Sequence, residues 1–152
     1  MKLRWALAAC VLLLAACGRP PPKSGIDLRA DDPEALVLGK RVYEARCAAC
    51  HGARLEGQPH WRERDSSGRL PAPPHDASGH TWHHPDGVLF NIVKFGVAKA
   101  AHLEHYDTAM PAFEGVLSDS EIIAVLSWIK AQWPPEIRKQ QEEVEDAVRQ
   151  RP

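Results

Sequence analysis

Two cysteines and a histidine lie within five consecutive residues, Cys47-Ala48-Ala49-Cys50-His51. Two thiols at this spacing can add across the two vinyl groups of one porphyrin, and the adjoining imidazole can then bind the porphyrin iron. The motif therefore predicts a covalently attached haem, held by Cys47 and Cys50, with His51 as an iron ligand.

Two other kinds of site also use paired cysteines. A thioredoxin-like redox pair is typical of a βαβ unit, and strand-like runs are missing around Cys47. A structural zinc site needs a second pair of ligands, but the only other cysteines, Cys10 and Cys17, lie in the N-terminal segment. The histidine after the second cysteine therefore favours haem.

In this motif the chain resembles the class I c-type cytochromes, which carry a single haem, and it matches their attachment motif at every position. The resemblance implies an all-α cytochrome c fold, with three or four short helices around one covalently attached haem c and long irregular loops. We place that domain at residues 33–134. In the family, a glycine and an aromatic residue four positions later lie on the first helix, where Gly39 and Tyr43 match, and an aromatic residue of the last helix, here Trp128, faces them.

The resemblance also implies a second iron ligand. The family places its distal methionine in a loop, before a proline, and Met110 precedes a proline in this chain. A thioether is a soft, neutral ligand that raises the reduction potential. Thr108 is predicted to hydrogen-bond a haem propionate. The alternative is that Met110 only packs and that His102 or His105 is the ligand.

In the family, a proline carbonyl in the loop after the haem histidine accepts a hydrogen bond from the other ring nitrogen of that histidine, which fixes the orientation of the ring. Pro59 is the preferred candidate, with Trp61 packed against a porphyrin edge. Pro71, Pro73 and Pro74 are alternatives.

Capping signals predict where the helices begin and end. Asp32 is a good N-cap for a first helix that runs into the haem motif. A middle helix is predicted to begin near Pro85 and to stop at Gly96. Ser118 and Glu121 form a capping box that opens a last amphipathic helix.

Histidines are concentrated in the loop between the first and middle helices. Because imidazoles suit copper, the segment from His75 to His84 leaves open a second function, periplasmic copper handling. Surface histidines, or hydrogen bonds from histidines and Trp82 to the haem propionates, are the simpler interpretation. The histidines concerned are His60, His75, His80, His83 and His84.

The N-terminal segment has the pattern of an export signal. Lys2 and Arg4 precede an apolar run that is too short to span a bilayer, so residues 1–16 are predicted to be a signal peptide. The run ends in Leu-Ala-Ala-Cys, which resembles the bacterial lipobox and predicts lipidation of Cys17; cleavage of an ordinary signal peptide is the alternative. Residues 17–32 are predicted to be a Pro-rich tether.

Length and charge bound the remaining possibilities. A chain of 152 residues suits one domain, and a formal net charge of −1 gives no reason to expect a nucleic-acid partner. Residues 135–152 are predicted to be a charged, largely solvated tail.

The function predicted from these features is one-electron transfer. The protein would exchange electrons with redox partner proteins while anchored on the periplasmic side of a bacterial membrane. With two protein ligands on the iron, no enzymatic activity is expected. If Met110 is bound weakly or displaced, the alternative is a haem-based sensor of a small ligand.

Overall fold

The computed structural model describes residues 25–150, which form helices and loops without a β-strand. The α-helices are α1 (Pro33–Arg46), α2 (Ala48–His51), α3 (Asp86–Phe95), α4 (Val97–Ala100), α5 (Asp119–Ala131) and α6 (Pro135–Arg149). A 3-10 helix covers Thr81–His83. No helix within residues 25–150 is both long enough and apolar enough to cross a bilayer. The all-α prediction is confirmed. The structure has more helices than the three or four expected, because it adds the single turns α2 and α4 and the C-terminal helix α6.

The predicted helix ends are confirmed with small shifts. The Asp32 carboxylate accepts hydrogen bonds from the amides of residues 34 and 35 at the start of α1. Ser118 and Glu121 form the capping box of α5. Pro85 is the N-cap of α3 rather than its first helical residue, and Gly96 ends that helix with a φ of 81°.

Helices α1 and α5 pack closely against each other through Gly39. A Cβ atom placed on Gly39 would collide with the backbone of Ala124 and would lie 2.7 Å from the Cβ of Trp128. Next to this crossing, the rings of Tyr43 and Trp128 lie 4.8 Å apart between centroids. The predicted pairing of the first and last helices is therefore confirmed, and it explains a glycine that costs about 1 kcal/mol of helix propensity.

The core is built on α5. Its apolar side chains pack with those of α1 and α3 and with apolar residues of the loops. Sequence periodicity of three and four along α5 predicts this buried face. The fully or nearly fully buried apolar residues on α5 are Ile122, Ala124, Val125, Leu126 and Ile129.

The segment before α1 is packed against the domain, which corrects the prediction of a tether up to residue 32. Leu28 and Ala30 are buried. The amide of Leu28 donates to the Asp86 carboxylate at 2.9 Å, and the amide of Arg29 donates to the Ser127 hydroxyl at 2.8 Å. A segment with only two buried apolar residues, Leu28 and Ala30, has no periodicity that a sequence pattern could detect.

Helix α6 corrects the prediction of a solvated tail. Its Gln141 side chain is 0% exposed and donates to the Asp86 carboxylate at 2.7 Å. Arg138 pairs with Asp31 at 2.9 Å, and Arg149 pairs with Asp27 at 3.0 Å. Besides the apolar contact of Ile137 with the core, the helix is held by these polar contacts, which a search for apolar stripes does not detect.

Candidate functional site

The two cysteines and the histidine of the motif lie on one turn of backbone where α1 meets α2. Cys47 is the C-cap of α1, and its carbonyl accepts the amides of Cys50 at 3.1 Å and His51 at 2.9 Å. Residues three and four apart share one face of a helix. The fold therefore presents both thiols and the imidazole on the same side.

The ring of His51 is buried, at 7% exposure, and is oriented by a hydrogen bond. Its Nδ1 lies 2.9 Å from the carbonyl oxygen of Pro73. A carbonyl can only accept, so Nδ1 carries the proton and Nε2 keeps its lone pair. Burial lowers the pKa of His51, and the bond to Pro73 offsets part of that shift. The ring is thus a neutral imidazole with one nitrogen free to bind a metal.

The proline that orients His51 is Pro73 and not Pro59, the preferred candidate from the sequence. Pro59 is exposed. The loop after His51 folds back on itself: the amide of Gln58 donates to the carbonyl of Ala72 at 2.9 Å, and the amide of His75 donates to that of Leu55 at 2.8 Å. These long-range pairings bring Pro73 to the histidine, and distance along the sequence gives no sign of them.

His75 lies directly against the haem-motif histidine. The rings of His51 and His75 are stacked, with centroids 4.0 Å apart and planes inclined by 21°. The Nδ1 atom of His75 lies 2.8 Å from the hydroxyl oxygen of Thr81, and the His75 carbonyl accepts from the indole of Trp133 at 2.7 Å. Burial is the main reason why the pKa of His75 lies well below its usual range. In the sequence His75 is one of several histidines in a loop, and nothing in that pattern indicates this stacking.

Cys47 and Cys50 are free thiols in the described chain. Burial, with a contribution from Cys50, raises the pKa of Cys47 to about 11, so this thiol is protonated at neutral pH. Addition of an S–H group across a vinyl C=C bond forms a thioether and keeps that hydrogen in the product. Since neither cysteine is in a disulfide, both thiols are available for attachment.

Met110 is half-buried in the loop between α4 and α5. Its amide donates to the Thr108 hydroxyl at 3.1 Å. Thr108 thus has a backbone contact within the loop, and its proposed hydrogen bond to a propionate stays a prediction. Directly after the loop, the amide of Phe113 donates to the carbonyl of Val93 on α3 at 3.1 Å, and Phe113 is buried in the core.

The aromatic and histidine-rich segment forms stacked pairs. Trp61 stacks on His80 with ring centroids 5.5 Å apart, and Trp82 stacks on His83 at 3.6 Å. Within residues 25–150, no three His, Cys, Asp or Glu side chains are grouped so that they could hold a metal ion. The structure thus offers no assembled site in support of copper handling by the segment from His75 to His84. Contact between Trp61 and a porphyrin stays a prediction.

The residues of the site suit a covalently attached haem. The motif supplies two free thiols and a neutral, buried imidazole on one face. In addition, the indole Nε1 of Trp82 is buried and has no hydrogen-bond partner among the described residues. A buried donor without a partner costs free energy, so a site that supplies an acceptor, such as a haem carboxylate, would satisfy it. When bound, haem supplies a one-electron iron couple.

The helical fold and this site define a haem-binding protein that attaches its cofactor through two cysteines. The chain belongs to the cytochrome c family, because the family model described as Cytochrome c matches residues 36–133. Searches of curated proteins and of solved structures gave no match. The family carries haem c attached through two cysteines, here Cys47 and Cys50, and its members transfer electrons to and from redox partner proteins rather than catalyse a reaction. The lipidation predicted at Cys17 concerns a residue outside the described part of the chain.

Proposed function

We propose that this protein is a one-electron carrier whose haem iron is bound by His51 and Met110 and which is held at a membrane by a lipid on Cys17. The observation that carries the proposal is the hydrogen bond from His51 to Pro73, since it leaves Nε2 as the free nitrogen of a buried ring. Met110 is the only methionine besides Met1, so it is the single thioether within the described residues.

The chain's own contribution is to keep the iron environment the same in both oxidation states. Pro73 fixes the plane of the His51 ring, and the stacked ring of His75 restricts its tilt. A soft, uncharged thioether favours Fe(II) relative to a second imidazole. If His51 and Met110 both bind the iron, no position on it would be left for a substrate, and the protein would exchange electrons rather than atoms.

The ligand assignment is tested by optical spectroscopy of the oxidised protein. We expect a sulfur-to-Fe(III) charge-transfer band in the wild type, its loss in Met110→Ala, and its retention in His102→Ala and His105→Ala. A wild type without this band would remove Met110 as a ligand and would favour the small-ligand sensor.

The lipid anchor is tested by membrane fractionation of cells that express the full chain. We expect Cys17→Ser to move the protein from the membrane to the soluble periplasmic fraction. Cys10→Ser is the matched control, because Cys10 follows a second Leu-Ala-Ala sequence nearer the N-terminus. Continued membrane association of Cys17→Ser would contradict the anchor.

A further inference from the structure

The loop that carries Met110 has few bonds to the rest of the protein. From residue 104 to residue 112 the backbone forms a turn at residues 104–105 but, within the described chain, no backbone–backbone hydrogen bond to another segment. The amide of Leu103 donates to Ala98 before this segment, and the amide of Phe113 donates to Val93 after it. We call residues 104–112 the methionine loop. Nine residues without backbone pairing to another segment are expected to open easily.

One side chain from outside the loop holds it. The Nε atom of Arg69 donates to the Asp107 carboxylate at 2.9 Å. Among the described residues this is the only side-chain hydrogen bond or ion pair that joins the methionine loop to another segment; the other side-chain bond, from the amide of Met110 to Thr108, lies within the loop.

The backbone of Arg69 is itself well ordered by a turn. The Asp65 carboxylate accepts the amides of Ser67 at 2.8 Å and Arg69 at 3.0 Å, and the amide of Asp65 donates to the carbonyl of Arg69 at 2.9 Å. Because aspartate side chains stabilise turns in this way, Arg69 starts from a fixed backbone. Less entropy is then lost when its side chain pairs with Asp107.

The same segment also contacts the histidine of the haem motif. Pro73 is four residues after Arg69 and orients the His51 ring. One loop therefore touches the proximal ligand through Pro73 and the methionine loop through Arg69.

We propose that Arg69 is a positioning residue for Met110: its ion pair with Asp107 holds the methionine loop closed and so keeps the thioether on the iron. This inference rests on the proposed His51–Met110 ligation. Asp107 is adjacent to Thr108, whose hydroxyl accepts the amide of Met110, so the restraint passes to Met110 through two neighbouring residues.

The test uses the purified holoprotein with Arg69→Gln and Asp107→Asn, which remove one charge each; Asp107→Asn also keeps the side-chain shape. The control is Arg138→Gln, which breaks an ion pair between α6 and Asp31 that does not involve the methionine loop. Two quantities are measured: amide hydrogen exchange across residues 104–112, and the affinity of Fe(III) for added imidazole, which has to displace Met110.

We expect both Arg69→Gln and Asp107→Asn to speed exchange in the methionine loop and to tighten imidazole binding, each by about two- to fivefold, which is the upper range for an exposed ion pair. The double variant should add little to either single one, because both remove the same interaction. The effect should shrink at 1 M salt, where the screening length is about 3 Å. Arg138→Gln should match the wild type.

Unchanged exchange and unchanged imidazole affinity in both variants, with the charge-transfer band present, would overturn the role of Arg69 and leave the ligation intact. A wild type without the band would instead overturn the Met110 ligation, and the positioning role with it. Equal effects from Arg138→Gln would show a general charge effect and would also overturn the inference.

Discussion

At the scale of single residues, the site depends on which ring nitrogen of His51 is already engaged in a hydrogen bond. The Pro73 carbonyl takes the Nδ1 proton, so the neutral ring can present only Nε2 to a metal. Burial keeps the ring uncharged by lowering its pKa. A protonated ring would have no lone pair for iron. Burial and this hydrogen bond together therefore leave Nε2 able to bind a metal.

Removal of one thiol tests whether both cysteines bind the haem. In Cys50→Ala only Cys47 can form a thioether, so one vinyl group stays conjugated with the porphyrin. We expect a singly attached haem whose reduced absorption band lies at longer wavelength than in the wild type. The pyridine haemochrome spectrum and the intact mass measure this. Ala49→Ser, a change between the cysteines that removes no thiol, should keep the wild-type spectrum; a wild-type spectrum in Cys50→Ala would contradict the motif assignment.

The sequence predicts the attachment residues because their geometry is local. One helical turn brings Cys47, Cys50 and His51 to one face wherever the turn lies. The partner of His51 could not be predicted in the same way, since Pro73 reaches it only after the segment around Leu55 pairs with the segment around His75. Four prolines are candidates, and the family resemblance favours Pro59, whereas the structure places Pro73 at the histidine.

At the scale of elements, the site depends on how closely α1 and α5 approach. Cys47 is the C-cap of α1, so the position of α1 determines where the haem motif begins. The Tyr43 hydroxyl, beside the crossing, donates to the carbonyl of Gly52 at 2.7 Å and links α1 to the residue that follows His51. A change at the helix crossing should therefore affect both stability and the site.

Gly39→Ala tests this crossing. The new methyl group would meet the backbone of Ala124, which cannot move as a flexible side chain can. We expect the free energy of unfolding to fall by about 1–3 kcal/mol, the usual cost of overpacking, as measured by denaturant titration of the holoprotein. Gly87→Ala on α3 is the control, because a Cβ there would meet nothing within 4 Å. That variant should be unchanged or more stable by up to about 1 kcal/mol. Equal stability of both variants would contradict close packing at Gly39.

The helices that the sequence predicts well are those with strong caps or apolar stripes. Asp32 and Ser118 mark helix starts by a local hydrogen-bonding pattern, and α5 has a continuous buried face. Helix α6 lies in residues 135–152, for which the sequence predicts only a charged, solvated tail. Its buried contact comes from Gln141, and a polar residue gives no apolar periodicity.

At the scale of the whole molecule, the two ends of the described chain meet at Asp86. This carboxylate is 1% exposed. It accepts the amide of Leu28 from the segment before α1 and the side chain of Gln141 from α6. Its own amide donates to Glu145 at 2.9 Å. The family match covers residues 36–133, so this polar junction ties parts outside the match to the helix α3 within it.

The pH dependence of stability follows from this junction. Burial raises the pKa of Asp86, while the hydrogen bond from Leu28 and the charge of Lys130 offset part of the rise. An acid with a raised pKa binds more protons in the folded than in the unfolded state between the two pKa values. Folding stability contributed by Asp86 is therefore present below its ordinary pKa, about 3.9, and is lost as the pH rises through the folded value.

Asp86→Asn isolates this contribution. An asparagine amide stays neutral at every pH and can donate to the Oε1 atom of Gln141, which has no hydrogen-bond partner among the described residues. We expect the stability of the wild type, relative to the variant, to decrease as the pH rises from about 4 toward 7. Denaturant unfolding of both holoproteins across this range gives the difference between their free energies of unfolding. Carboxylates elsewhere, such as Asp65 and Glu121, titrate in both proteins, so their effect cancels in this difference. A difference that is constant with pH would mean that Asp86 titrates like an exposed carboxylate, and the junction would then be too open to water to hold α6 through a buried hydrogen bond.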